Sequence, residues 1–407
     1  MFLEILLFLF LGIAFGMITG LIPGLHPNTI FILVLSLAFV FTSFPVHCML
    51  AFIISLAVSN TFFDFIPSIL FGAPEEDSVL SVLPGHRMLL KGRGYEALFL
   101  TVMGGLGVML LTISSLPALF YFLPLLYNTI KPVMHILLSL VVLWMIFTEK
   151  GKRRLYAPPL FLFAGILGFL TLNSLPSEQV LFPALTGLFA LSTLVTSIIT
   201  KIKLPPQKKT FEIKERWLKG SVTGWLAGML AGLLPGIGSS QAGIIAAQVL
   251  RAKLKDFLVA LGGINTSNIF FTFIVFYAIG KTRSGAVWAL SQIIDTISIF
   301  DIALVFAVGF VACMISGILT IKTGGLIIER IKNINYTRMM LFTLSMLLFL
   351  VFAFTGIPGL IISLTGMSIG LLAISLGIKR THLMGFLLIP TIIYFSGLNP
   401  FFLNMLL

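Results

Sequence analysis

Long stretches of apolar residues recur along this chain, and they constrain its fold more than any other feature. Phe2 to Met17, Gly104 to Phe122, Met134 to Phe147, Leu258 to Phe276 and Met340 to Phe354 are such runs. A helix of about 20 apolar residues crosses a hydrocarbon core of roughly 30 Å. The runs are continuous and do not alternate, so they read as helices and not as barrel strands. With 58% of 407 residues hydrophobic and only 10% charged, the mean hydropathy of +1.11 lies beyond what a water-soluble surface tolerates. The expected fold is an all-α polytopic membrane protein.

The first run has no Lys or Arg before it and no small-residue cleavage site after it, so it reads as a first span and not as a signal peptide. Cys48 and Cys313 lie in apolar surroundings, which argues against a disulfide framework or a thiolate metal site. The net charge of +12 sits in short loops. There it sets membrane orientation, and no nucleic-acid partner is implied.

Two loops are strongly basic, Glu149 to Arg154 and Lys201 to Lys219, and both are expected on the cytoplasmic side. Counting back from the second gives seven crossings near 180–200, 157–172, 118–148, 98–116, 47–70, 28–44 and 3–22. Seven is odd, which places the N-terminus outside. Counting forward gives spans near 218–235, 239–250, 257–279, 302–320, 338–355, 358–377 and 383–398. Short segments that turn back as re-entrant hairpins reduce the total, so about 10 to 14 full crossings are expected. The chain divides into a first transmembrane repeat at 1–200, a basic cytoplasmic linker at 201–217 and a second repeat at 218–407, entering the membrane from opposite sides.

The duplication is legible in the letters. Gly12, Gly16, Met17, Gly20, Leu21, Pro23 and Gly24 align with Gly224, Gly228, Met229, Gly232, Leu233, Pro235 and Gly236 at an offset of 212. Ser59 to Ile66 aligns with Ser267 to Ile274, and Gly72 with Gly280, at an offset of 208. Matches of Gly, Pro, Ser and Asn in order are not the cheap matches of an apolar composition.

Each repeat carries a break, "GLIPGLHPN" at Gly20 to Asn28 and "GLLPGIG" at Gly232 to Gly238. Irregular backbone survives in a bilayer only where it is buried in protein or lines a watery cavity. Proline cannot donate to the helix ladder, and glycine readily leaves helical geometry. A broken helix offers free amides and a positive N-terminus to an anion, and free carbonyls to a cation. Opposed broken helices in inverted repeats are the recurring plan of secondary transporters.

"GLIPGLHPNTI", then "FGAPEEDSVLSVLPGHRMLLKGRGYEAL" (Phe71 to Leu98), then "GLLPGIGSSQAGIIAAQ" (Gly232 to Gln248) resemble the large membrane subunit of the tripartite tricarboxylate transporters. The likeness runs in order across both halves. It implies a permease for carboxylates, driven by an ion gradient and served by a small membrane subunit and an extracytoplasmic binding protein. "APEED" (Ala73 to Asp77) stands where that family carries a small uncharged stretch, "GKTRSGA" (Gly280 to Ala286) stands in place of another Gly-x-Pro-Gly segment, and the chain is shorter than the bacterial subunits.

The substrate site is expected around Pro23, Gly24, His26, Asn28 and Asn60 in the first repeat. The second contributes Pro235, Gly236, Ser239, Ser240, Gln241, Asn268, Lys281 and Arg283. Coupling to Na⁺ or H⁺ falls on Asp64, Ser59, Ser267 and Asn265, with Thr266 in the same polar set. For the amides, ligand contact and helix-to-helix bonding stay open as alternatives. No cofactor or metal is expected beyond the coupling ion. The expected partners are a small organic anion, the lipid bilayer, the two accessory proteins and a second copy in a homodimer. The expected location is a multi-pass place in a prokaryotic cytoplasmic membrane. A channel or scaffold subunit is the other non-enzymatic reading. An intramembrane hydrolase using Asp64, Asp295 or Asp301 is the enzymatic one, but Gly-x-Gly-Asp and His-Glu-x-x-His are missing from the sequence.

Overall fold

The computed structural model describes residues 2–22, 45–73, 80, 82–199, 205–208, 217–234, 238–250, 254–294, 296–331 and 336–401. Among these residues every regular element is a helix, and eight helices are long and apolar enough to cross a membrane. In chain order the helices are α1 (Phe2–Leu21), α2 (Val46–Phe63), α3 (Val82–Leu89), α4 (Gly94–Ile130), α5 (Met134–Phe147), α6 (Arg153–Ser174), α7 (Ser177–Leu185) and α8 (Ser192–Ile199). After the linker come α9 (Trp217–Leu233), α10 (Ser239–Val249), α11 (Leu254–Ile279), α12 (Gly285–Ser291), α13 (Ile299–Ile331), α14 (Tyr336–Ser375) and α15 (Gly385–Ser396).

Two span boundaries differ from the sequence expectation. Helix α4 runs without interruption through the expected break near 117, carrying Pro117 and Pro124 inside it, and stops at the Pro132 turn. Helix α14 joins the spans expected at 338–355 and 358–377, and the join is a kink at Gly356 with φ 65°. Proline removes one ladder bond without ending a helix, whereas a left-handed glycine redirects the backbone.

The chain packs as two compact units, each drawing on both halves of the sequence: Met1–Leu125 with Lys203–Ile334, and Leu126–Ile202 with Asn335–Leu407. In the first unit α1 lies on α2, and α9 lies on α11. Glycines four residues apart make both contacts. A Cβ at Gly12 would meet Phe52 and Ser55, one at Gly16 would meet Leu56 and Ser59, and one at Gly20 would meet Asn60 and Phe63. In the second pair, Gly224 faces Ala260 and Gly263, Gly228 faces Ile264 and Ser267, and Gly232 faces Asn268 and Phe271. Every partner is matched at the offset of 208, so the two pairs are built alike. Within lipid there is no hydrophobic drive between helices, and small residues hold them by letting backbones approach.

In both pairs the contact numbers rise together, so α1 runs parallel to α2 and α9 parallel to α11. The two pairs oppose one another. Ile54 and Phe270 flank the same glycine, Gly309, while Thr61 meets Thr266 and Asp64 meets Asn265. Numbers that rise on α2 fall on α11, so these two helices are antiparallel. They are also the innermost: 100% of the most apolar window of Val46–Phe71 and 89% of that of Leu254–Ile279 is buried, against 28% for Thr337–Ser375.

The linker is tied to the start of α4. Gln207 donates from Nε2 to the Leu89 carbonyl (2.8 Å) and accepts from the Gly94 amide at Oε1 (2.9 Å). One side chain thereby satisfies the last turn of α3 and the first of α4. Arg93 and Lys255 both pair with Glu96, which adds the N-terminus of α11 to the same face.

In the second unit, Leu185-Thr186-Gly187 and Leu364-Thr365-Gly366 pack reciprocally. Gly187 sits on the Ser363 carbonyl and Gly366 on the Ala184 carbonyl. Residues Thr186–Leu191 form a π-helical segment. Arg380 closes it, donating from Nη2 to the carbonyls of Leu188 (2.9 Å) and Phe189 (2.6 Å) and to Ser192 Oγ (2.6 Å). A π turn leaves carbonyls without an i+4 donor, and the guanidinium fork supplies several donors at once.

Candidate functional site

An α2 that is apolar all round has no polar face to turn toward water, so its few polar residues are buried with it. Ser59, Asn60, Thr61 and Asp64 are all at most 5% exposed. Helix α2 ends at Phe63, and Asp64 leads into the π-helical turn Pro67–Phe71, where Pro67 has no amide to give. Such turns gather at functional sites. The segment closes on Gly72 with φ 67°, and Gly280, its repeat counterpart, has the same φ.

On α11 the matching stretch is Asn265-Thr266-Ser267-Asn268. Asn265 donates from Nδ2 to Asp64 Oδ2 at 3.3 Å. One turn along, Thr61 Oγ1 and Thr266 Oγ1 lie 3.4 Å apart. Each of these hydroxyls also has a carbonyl of its own helix within reach, Val58 at 2.8 Å for Thr61 and Gly262 at 3.2 Å for Thr266. A hydroxyl has one hydrogen and two lone pairs. Either hydroxyl can donate to the other, and the lone pairs left over are oxygen acceptors within the buried crossing.

The amides on either side make one bond each to a neighbouring helix. Asn60 donates to Thr19 Oγ1 at 3.2 Å. Asn268 donates to Ser239 Oγ at 3.3 Å. Ser239 opens α10, with Ser240 and Gln241 beside it, and all three are at most 4% exposed. Gln241 Oε1 turns back to accept the Gly238 amide at 2.9 Å. The first amides of a helix have no carbonyl four residues back, so this buried turn carries donors suited to a carboxylate.

Pro23, Gly24, His26, Asn28, Pro235 and Gly236, and also Glu75 to Asp77, lie outside the described residues. Of the remaining expected site residues, Asp64, Asn265 and Asn268 are brought together at the α2–α11 crossing and at α10. Ser59 and Ser267 instead bond across the glycine seams, to the carbonyls of Ile13 (3.0 Å) and Gly224 (3.2 Å). Lys281 is exposed, and Arg283 is half-buried in the loop after α11. That loop is drawn back by Ser284, whose Oγ lies 3.1 Å from Thr272 Oγ1. Thr272 is the repeat counterpart of Asp64.

Thr61 was not among the residues expected from sequence. A signal existed: Thr61 lies three residues before Asp64, and residues three apart share a helix face. The four-residue glycine spacing likewise announced the close seams.

Eight apolar spanning helices among the described residues, with an acid, amides and hydroxyls gathered at a crossing deep inside them, make this a multi-pass membrane protein. Comparison with known proteins gives the family. Over residues 6–385 the chain matches the Tripartite tricarboxylate transporter TctA family, and it belongs to that family. It is 31% identical over 402 residues to an uncharacterized protein of Methanocaldococcus jannaschii, covering 96% of this chain and 98% of the relative. No solved structure matches.

Proposed function

We propose that the chain is a secondary active permease for a carboxylate or other small organic anion, driven by a Na⁺ or H⁺ gradient. The observation that carries this reading is the crossing of two oppositely directed helices at Asp64, Asn265, Thr61 and Thr266. Opposed helix pairs meeting at a polar centre are the plan of alternating access, with the site fixed and the halves exchanging roles. Asp64 with the facing threonines would hold the coupling cation. The buried first turn of α10, with Asn268, would hold the substrate carboxylate, and Arg283 and Lys281 would attract it to the loop after α11.

The orientation follows from charge. Lys91, Arg93, Lys208 and Lys255 lie on the segments that Gln207 and Glu96 tie together. By the positive-inside rule that face is cytoplasmic, in the cell membrane of a prokaryote. The membership in a tripartite family supports association with a small membrane subunit and an extracytoplasmic binding protein.

Counterflow decides between transporter and the alternatives. Proteoliposomes loaded with unlabelled tricarboxylate should take up labelled tricarboxylate, with a rate that depends on Na⁺. A scaffold subunit or hydrolase exchanges nothing. A channel equilibrates the label without transient overshoot.

A further inference from the structure

The second unit holds a cluster of cations that the permease reading leaves unused. Lys150, Lys152, Arg153 and Arg154 precede and open α6, and Lys379 stands on the turn before α15; all five are exposed. In sequence, the 126–202 and 335–407 segments of this unit contain two acids, Glu149 and Glu178. Glu178 follows the far end of α6, a helix of 22 residues and therefore about 33 Å long. Glu149 is 4% exposed and already committed. Its Oε1 accepts the Lys379 amide (3.1 Å) and lies 3.3 Å from His382 Nε2.

Three of the five cations are held and not trailing. Arg154 donates to the Phe147 carbonyl and lies over the Phe147 ring at 5.4 Å. Arg153 lies over Gly377, where a Cβ would come within 3.5 Å of its Nε. Lys379 Nζ reaches Thr148 Oγ1 at 3.4 Å. Positive charge at the start of a helix adds to the positive end of its dipole. Next to the cations is a collar of exposed apolar and aromatic side chains: Trp144, Phe147, Leu155 and Tyr156. Trp and Tyr mark the level where headgroups meet acyl chains.

We propose that this face binds an anionic phospholipid, its phosphodiester among Lys150, Lys152, Arg153 and Lys379 and its acyl chains along the collar. A cationic ring above an apolar collar complements that amphiphile in both charge and polarity. Basic clusters at the cytoplasmic ends of spanning helices recognise such headgroups.

The full chain in phosphatidylcholine nanodiscs, with or without an equal part of phosphatidylglycerol, tests this by native mass spectrometry and thermal melting. Wild type should retain phosphatidylglycerol and melt higher in its presence. Lys150→Gln with Lys152→Gln removes two exposed side chains, and should melt as wild type does in pure phosphatidylcholine while binding phosphatidylglycerol about thirtyfold more weakly. If that variant melts lower in pure phosphatidylcholine, Arg153→Gln takes its place, with binding about fivefold weaker for the one charge removed. Salt near ~1 M, where the screening length is about 3 Å, should erase the difference. Equal retention of phosphatidylglycerol by wild type and variants overturns the proposal. Equal stabilisation by free glycerol phosphate or inorganic phosphate also overturns it, because the site would then serve a soluble anion.

Discussion

Asp64 and Asn265 show what a single buried pair can carry in a membrane core. In the repeat alignment Asp64 corresponds to Thr272, and Asn265 to Ala57, so the pair has no second copy. One carboxylate at the crossing predicts one coupling cation per cycle. Asp64→Asn should abolish gradient-driven uptake while leaving Na⁺-independent counterflow measurable, and loss of both would assign Asp64 to substrate or fold instead. Asn60→Ala and Asn268→Ala each delete one interhelical bond, worth about 0.6 to 2 kcal/mol in a membrane. Both variants should stay folded with reduced transport, and unchanged uptake would make the amides glue between helices. Two histidines outside the spanning helices give a pH dependence. Burial pushes His86 below its ordinary value, against the opposing Ile69 carbonyl. Burial does the same to His382, while Glu149 pulls it up and Lys379 pushes it down. A base with a depressed folded pKa binds fewer protons than the unfolded chain, so stability is full above about pH 6.5 and falls as pH drops below it. Melting temperature in detergent should hold from pH 8 to about pH 6.5 and decline toward pH 5, and His86→Gln should flatten part of that slope.

At the scale of elements, the glycine seams make a sharper demand than the hydrophobic pattern does. Gly228→Ala would drive its Cβ into Ser267 Oγ, and Gly16→Ala would press on Ser59 Cβ at 2.6 Å. Overpacking of this kind costs about 1 to 3 kcal/mol. The two seams share no partner, so the double variant should lose roughly the sum in thermal stability. Gly280→Ala is a contrast, because nothing lies within 4 Å of its Cβ. Its cost comes from φ 67° alone, about 1 kcal/mol, with no displaced neighbour. A loss at Gly228 no larger than that at Gly280 would show that the neighbours of the seam give way to an added methyl at little cost. Arg380 makes a related point. Lysine keeps the charge but has one nitrogen where arginine sets Nη1 on Thr193 and Nη2 on the carbonyls of Leu188 and Phe189, so Arg380→Lys should lose stability, though less than Arg380→Met.

At the scale of the whole molecule, the decisive test is orientation. Parallel pairs α1/α2 and α9/α11, opposed through the α2–α11 crossing, put residue 2 and the linker on opposite sides of the membrane. Single cysteines at Phe2 and Lys208, both exposed, in a chain with Cys48 and Cys313 replaced, should label from opposite faces with a membrane-impermeant maleimide. Labelling from one face would remove the opposed arrangement and the transport mechanism built on it.

The helical class was legible in the letters, because length without charge fixes a spanning helix, and ordered matches of Gly, Ser and Asn stand out in a composition dominated by Leu and Phe. Asp64, Asn265 and Asn268 stood out for the same reason: a polar residue inside an apolar run has few uses. The meeting of Thr61 with Thr266 was not legible, since it joins residues 205 apart and depends on how α2 crosses α11. Nor was the division into units that mix the two halves, because which helices share a unit is decided by close backbone approach at glycine. Apolar composition says that a helix is buried in something, lipid or protein. Only the packed structure says which, and α2 and α11 are the helices that protein covers almost entirely.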